Sequence, residues 1–289
     1  MSAFALENTV SPFNEMLAYE MLWSKRQSLA KIAELFAHIN LPSEALHSLE
    51  GLAPDEELLN EIRNYLVHKS GFSVSVSGTY QYPEGLEKHQ TPFKLMYYRG
   101  NLGLVEHQSV SVVGTRKVSE QGVLRAKKLV QALIEQYTIV SGLAAGVDTV
   151  ALQEAIRLKG NVIGVIGTPI DQYYPRENQA LQEEIATKHL LLSHVPFFRY
   201  EKEHFLNHKY HFPERNEIMA AISKATIIVE ASDTSGTLTQ ARACLRYGHK
   251  LIILNSCFEV PGLKWPHKYL EQGAIRVRNE DEVLNALEG

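Results

Sequence analysis

The chain has 289 residues, of which 45% are hydrophobic and 21% charged, with a net charge of −4 and only two cysteines, Cys244 and Cys257. That length exceeds one ordinary domain of roughly 100 to 200 residues, so a large domain with a small companion is expected. The composition excludes extended disorder, and the cysteines, too few for a disulfide framework and without metal-ligand spacing, are expected to be inert core thiols.

The acidic excess is uneven. Residues 1–90 carry 6 Lys/Arg against 12 Asp/Glu, and residues 91–289 carry 23 against 21, which leaves room for a local basic site in the longer part. The first residues show no basic segment followed by an apolar run and a small-residue cleavage site, so a cytoplasmic protein is expected. No apolar run approaches the roughly 18 residues that span a bilayer.

From Glu15 to about Leu66, apolar residues recur at helical spacing, with polar breaks at Asn40–Ser43 and Gly51–Asp55. This predicts a helical N-terminal domain over residues 1–70, in which Asp55, Glu56 and Glu57 are solvated first-turn carboxylates. Residues 71–101 lose that period and are expected to supply one or two edge strands ahead of a core domain over 71–289.

Short apolar runs follow at Val110–Val113, Ile139–Val140, Val162–Ile166, Leu190–Leu192, Thr226–Val229, Leu251–Leu254 and Ala274–Val277. Helical patterns fit between them at Gln121–Gln136, Val147–Leu158, Asn178–Thr187, Glu214–Ser223 and Thr237–Tyr247. Such alternation predicts an α/β fold: a Rossmann-like, doubly wound, mostly parallel sheet that binds ligands at the carboxyl ends of its strands.

Five strand ends carry the chemistry. Gly114, Thr115, Arg116 and Lys117 follow the first run; Ser141 and Gly142 begin a turn through Gly146 and Asp148; Gly167 follows the third run, ahead of Tyr173 and Tyr174. Arg215 and Asn216 follow Phe212-Pro213, and Ser235, Gly236 and Thr237 open the next helix. Glycines admit a close backbone approach, and N–H groups, hydroxyls and guanidiniums at helix starts hold anions. Any one such turn is also what a strand-to-helix connection needs for its own backbone. The arginines are harder to assign to capping, because a cation at a helix N-terminus opposes the helix dipole.

The first turn lacks G-x-G-x-x-G, the chain has no G-x-x-x-x-G-K-[ST], and no G-x-S-x-G occurs, which argues against a nicotinamide enzyme, a P-loop ATPase and an α/β-hydrolase. His204, His208 and His211 would share a face if helical, with His194 upstream, but Pro213 and the lack of an adjacent acidic or cysteine ligand favour a polar loop over a metal site. Neither a metal nor a cofactor is expected.

The ordered set Tyr82-Pro83, Tyr98-Arg99-Gly100-Asn101, Val113-Gly114-Thr115-Arg116, Ser141-Gly142-Leu143-Ala144-Ala145-Gly146-Val147-Asp148, Tyr174-Pro175, Phe212-Pro213-Glu214-Arg215-Asn216 and Ser235-Gly236-Thr237-Leu238 resembles the DNA-processing protein A (DprA, or Smf) family over residues 80–280. The resemblance implies a dimeric, non-enzymatic protein that binds single-stranded DNA and loads the RecA recombinase during natural transformation. It also implies that Arg116 and Arg215 hold phosphates, with Lys117 assisting. The chain departs from the family pattern at Leu152, His194, Glu217 and Gln240. The alternative is a nucleotide sensor or nucleotide-processing protein using the same pocket, for which Gln240 stands where related phosphoribohydrolases place a catalytic glutamate.

Overall fold

A computed structural model describes residues 10–25, 29–50 and 55–288. The expected break at Gly51–Asp55 therefore lies, apart from Asp55, outside the described residues. Four helices come first: α1 (Pro12–Ser24), α2 (Leu29–Phe36), α3 (Pro42–Glu50) and α4 (Glu56–Leu66). Ser11 caps α1, and Asp55 caps α4 by accepting from the Leu58 amide at 3.1 Å.

The chain continues through β1 (Ser73–Val76), α5 (Glu84–Lys88), β2 (Leu95–Gly100), β3 (Ser109–Val113), α6 (Glu120–Leu133), β4 (Thr138–Ser141) and α7 (Val147–Arg157). Next come β5 (Val162–Ile166), α8 (Gln179–Lys188), β6 (Leu190–Ser193), α9 (Phe197–Lys202), α10 (His211–Ile222) and β7 (Ala225–Ile228). The last elements are α11 (Thr237–Arg246), β8 (Lys250–Leu254), α12 (Trp265–Glu271), β9 (Ile275–Val277) and α13 (Glu280–Glu288).

All nine strands form one sheet in the order β1-β2-β6-β5-β4-β3-β7-β8-β9. From β6 to β9 it is parallel, whereas β2 runs antiparallel to β6 and β1 to β2, as the break in period after residue 70 predicted for edge strands. Strand alternation divides the core between the two faces. In β3, Val110 and Val112 join the layer of α6 and α7, while Val113 joins the layer of α10, α11 and α12. Both cysteines lie in this second layer, where burial pushes the Cys244 thiol up to about 11 and the Cys257 thiol to about 12, as inert thiols require. Among the described residues no helix is long and apolar enough to cross a membrane.

From Glu15 to Trp23 the first helix is buried on every side: Tyr19, Met21, Leu22 and Trp23 pack into the core layer that also contains Leu95 and Tyr97 of β2. Its two acids serve as internal caps. Glu15 accepts from the Ser43 amide and hydroxyl at the start of α3, and Glu20 accepts from the Tyr97 hydroxyl at 2.6 Å and from the Phe197 and Phe198 amides at the start of α9.

Burial raises the Glu20 carboxyl to about 7 in spite of those three donors. An acid raised on folding carries no penalty below its unfolded value near 4.5 and its full penalty above its folded value. Urea unfolding is therefore expected to show Glu20→Gln gaining on the wild type by up to about 3 kcal/mol as pH rises from about 5 to about 8. The pH slope is the readout, since the amide offers one acceptor oxygen in place of two.

Candidate phosphate and nucleic-acid site

The strand order reverses between the neighbouring strands β3 and β7: from β3 the chain winds through β4 and β5 to β6 on one side, and from β7 through β8 to β9 on the other, and this is where an open α/β sheet leaves a crevice beyond its carboxyl ends. A cavity of about 350 Å³ occupies that position. Its floor depends on Gly114, where a Cβ would come within 2.7 Å of the Glu230 carbonyl and 2.6 Å of Val147 Cγ2. The Thr115 amide donates to the Glu230 carbonyl at 2.7 Å, joining the two strand ends, and the Val147 amide donates to the Thr115 carbonyl. Gly146 makes that second approach with φ +83°, a conformation that favours glycine.

On the β7 side, Thr237 Oγ1 donates to the Gly114 carbonyl at 3.0 Å and receives the Ser235 hydroxyl at 2.9 Å. These contacts fix the start of α11 against the β3 turn. Gly236 lies between them with ordinary helical dihedrals, and a Cβ there would meet nothing within 4 Å. Nothing inside the fold requires glycine at 236; its bare backbone faces the cavity.

Arg215 forms the wall opposite. The residue is 5% exposed, and its guanidinium donates through Nη1 to the carbonyls of Gly142 and Val165, at the ends of β4 and β5, and through Nε to Asn216 Oδ1. Burial pulls its pKa down and the carboxylate of Asp148 opposes that pull; burial in turn pushes Asp148 up against the field of Arg215. The guanidinium stays charged in such surroundings, so the crevice holds a fixed positive wall rather than a mobile surface arginine. Gly142 is needed beneath it, because a Cβ would collide with Nη1.

Arg116 is exposed and, among the described residues, has no carboxylate partner. It shares with Arg215 the walls of the main cavity and of an adjoining lobe of about 270 Å³. Phe212 stands between the two arginines, with its ring 5.8 Å from the Arg116 guanidinium carbon and 6.0 Å from that of Arg215, and Tyr174, 48% exposed, lies 5.2 Å from it. Gly167 makes room for this ring, since a Cβ there would come within 2.8 Å of Phe212 Cδ1.

The crevice thus unites Gly114, Thr115, Arg116, Arg215, Asn216, Ser235, Gly236 and Thr237, with Gly142 and Gly167 lining the adjoining lobe. Two expected residues fall outside it. Ser141 is wholly buried and donates to the Val112 carbonyl at 2.7 Å, which makes it a tie between β4 and β3. Lys117 is exposed but lines neither lobe, and its backbone amide donates to Thr115 Oγ1. Asn216 lines the cavity while its amide group is occupied, accepting from Arg215 and donating to the Gly236 carbonyl at 3.0 Å. Tyr173 donates to Glu183 at 2.7 Å, away from the crevice, so Tyr174 alone of that pair faces the lobe.

Phe212 and Asp148 are the residues that sequence reading did not assign to the site. Phe212 is three positions before Arg215, a same-face spacing that becomes visible only if the helix starts before Pro213. It does: α10 begins at His211, with Pro213 in its first turn, where proline is tolerated.

The departures read differently in three dimensions. Glu217 points away and pairs with Arg246 at 2.8 Å on α11, so it does not oppose phosphate in the crevice. Leu152 is a fully buried core residue, and Gln240, 1% exposed at the cavity's base, has its amide 3.4 Å from Thr226 Oγ1. Glu230 accepts from the Ser119 hydroxyl at the start of α6, and Asp233 accepts from the Lys264 and Trp265 amides at the start of α12, so both acids of that turn cap helices.

His204, His208 and His211 do not share a helix face, the arrangement that sequence reading set against a polar loop. Residues Phe205–Tyr210 make a 3-10 turn, and His208 stacks on Tyr200 at 3.6 Å. Instead His194, from the end of β6, meets His211 and Glu214 in the first turn of α10, with Glu203 behind His211. Burial lowers His194. Against the same effect of burial, the two glutamates hold His211 above its ordinary value, and the two imidazoles hold Glu214 down to about 2.

A Rossmann-like sheet with a cationic crevice at its switch point defines an anion-binding α/β protein of the nucleotide or nucleic-acid kind. The family model for DNA recombination-mediator protein A matches residues 73–288, and the chain belongs to that family. It is 35% identical to DNA processing protein DprA of Streptococcus pneumoniae over 213 residues, 72% of this chain and 71% of that one. It is 33% identical to protein Smf of Synechocystis over 211 residues, of which it spans about half the length (52%). The crystal structure of the Streptococcus pneumoniae DprA superposes with a TM-score of 0.69 at 30% identity, covering 94% of this chain and 92% of that one. A Helicobacter pylori DprA structure, which concerns that protein's single-stranded-DNA binding mode, superposes with a TM-score of 0.61 at 26% identity over 74% of this chain and 95% of that one.

Proposed function

We propose that this recombination-mediator family member binds single-stranded DNA in the crevice between the β3 and β7 turns. The observation that carries the reading is the convergence of Arg116 and Arg215 on one cavity wall with the Phe212 ring between them and the bare backbone of Gly114 and Gly236 opposite. Cations, and glycines that let a strand approach closely, suit its phosphates, and Phe212 with Tyr174 offers a stacking surface that an unpaired base can reach and a paired base cannot. We read the chemistry as binding without bond making: Asp148, the carboxylate lining the main cavity, is buried and holds the Gly142 amide at 3.2 Å. Family resemblance extends the proposal to a cytoplasmic homodimer, organised as a helical domain over 1–70 and a core over 71–289, that delivers bound strand to RecA.

Fluorescence anisotropy with a labelled oligodeoxynucleotide, its duplex form and a nucleoside monophosphate as competitor tests this. The single strand is expected to bind at least about tenfold more tightly than the duplex, because base stacking contributes about 1 to 3 kcal/mol per base. Saturable stabilisation by a mononucleotide, with no oligonucleotide binding, would instead support the nucleotide sensor.

A further inference from the structure

We propose that His194, His211 and Glu214 form a binding site for one divalent transition-metal ion of the zinc type, placed directly behind the crevice. The three side chains are 1%, 2% and 8% exposed, and their ligand atoms all lie within 4.8 Å of one another. His194 Nε2 and His211 Nδ1 converge on the same oxygen, Glu214 Oε2, at 2.9 and 3.1 Å. A tetrahedral ion with bonds of about 2.0 to 2.2 Å holds its ligand atoms roughly 3.3 to 3.6 Å apart, so these hydrogen-bonded atoms need shift by only a few tenths of an ångström to admit one.

The far side of His211 supplies a second argument. Its Nε2 meets Glu203 Oε1 at 2.6 Å, and this carboxylate is acceptor only, so the single N–H of a neutral imidazole is committed there. Nδ1 then presents a lone pair to Glu214 Oε2, and two acceptors 3.1 Å apart need a positive charge between them. A carboxylate that fixes the tautomer of a histidine, so that its other nitrogen faces inward, is the usual second layer of a zinc site. An N₂O donor set favours zinc, cobalt or nickel over magnesium or calcium, which take all-oxygen shells. The competing occupant is a second proton on His211.

Rings close the site on two sides: Phe93 lies 4.9 Å from His194 and Tyr200 5.7 Å from His211. Glu214 immediately precedes Arg215 and Asn216 in α10, so an ion here would join the end of β6 to the helix turn that carries the cationic wall.

The test is a cobalt(II) titration of the tag-free full chain, followed by visible absorption, with zinc competition and metal analysis. One cobalt per chain is expected, displaced by zinc. His194→Gln and Glu214→Gln are expected to weaken binding more than tenfold, and Glu203→Gln by about 10- to 100-fold. A second histidine pair, His89 and His249 with Nε2 atoms 3.1 Å apart, supplies the control: His249→Gln should leave the titration unchanged. Circular dichroism establishes that each variant is folded, and His194→Gln decides the matter if Glu214→Gln is not. Folded wild type that takes up no cobalt, binding that survives His194→Gln, or binding that is lost in His249→Gln would each overturn the proposal, the first in favour of a doubly protonated His211.

Discussion

Arg215→Ala is expected to lose both oligonucleotide binding and about 2 to 5 kcal/mol of stability, the cost of leaving buried acceptors without their donor. The variant removes the donor from the Gly142 and Val165 carbonyls and from Asn216, and leaves the buried Asp148 charge without the favourable field of the guanidinium. Urea unfolding measures the loss of stability and anisotropy the loss of binding. The two effects separate in the double variant Asp148→Asn/Arg215→Ala, where removing the stranded charge should restore part of the stability and none of the binding. Recovery of binding in the double variant would mean that Arg215 acts only through the fold.

The second large effect contrasts two glycines that line the same cavity for opposite reasons. Gly114→Ala forces a Cβ against the Glu230 carbonyl and Val147, so the β3 and β7 ends must part, with an expected cost of about 1 to 3 kcal/mol in unfolding experiments. Gly236→Ala meets no atom within 4 Å among the described residues and is expected to change stability by less than about 0.5 kcal/mol. Its methyl group nevertheless occupies the cavity surface, and a clash with a bound strand of about 1.4 kcal/mol weakens binding about tenfold. A Gly236→Ala protein that binds as tightly as wild type would place the strand elsewhere.

Much of the sheet was legible because each strand is short, apolar and followed by a turn of small residues, which fixed the seven parallel strands to within one or two residues at most ends. The site was legible as a set of turns, and the topology then determined which turns face one another. What sequence could not reveal depended on packing across long separations. Arg215 reads as a surface cation at a helix start, yet the β4 and β5 carbonyls lie beneath it, 73 and 50 residues away. Ser141 reads as a pocket hydroxyl, yet its rotamer turns inward to Val112. Glu217 reads as an obstacle to phosphate, and only the packing of α10 on α11 shows that it faces Arg246. Pro213 hid the early start of α10 and, with it, Phe212 and the meeting of His211 with Glu214 and His194.

Arg116 is the most direct probe of the crevice as a single-stranded-DNA site, because it is exposed, has no carboxylate partner among the described residues and can be removed without disturbing the core. Affinity for a labelled single strand should be measured across a salt series for wild type and Arg116→Ala. The logarithmic salt slope is expected to become shallower by about 0.7, the value of one phosphate contact to a single strand, and affinity to fall at every salt concentration, with the melting temperature unchanged. Equal affinity and equal slope in the two proteins would contradict the assignment of the crevice.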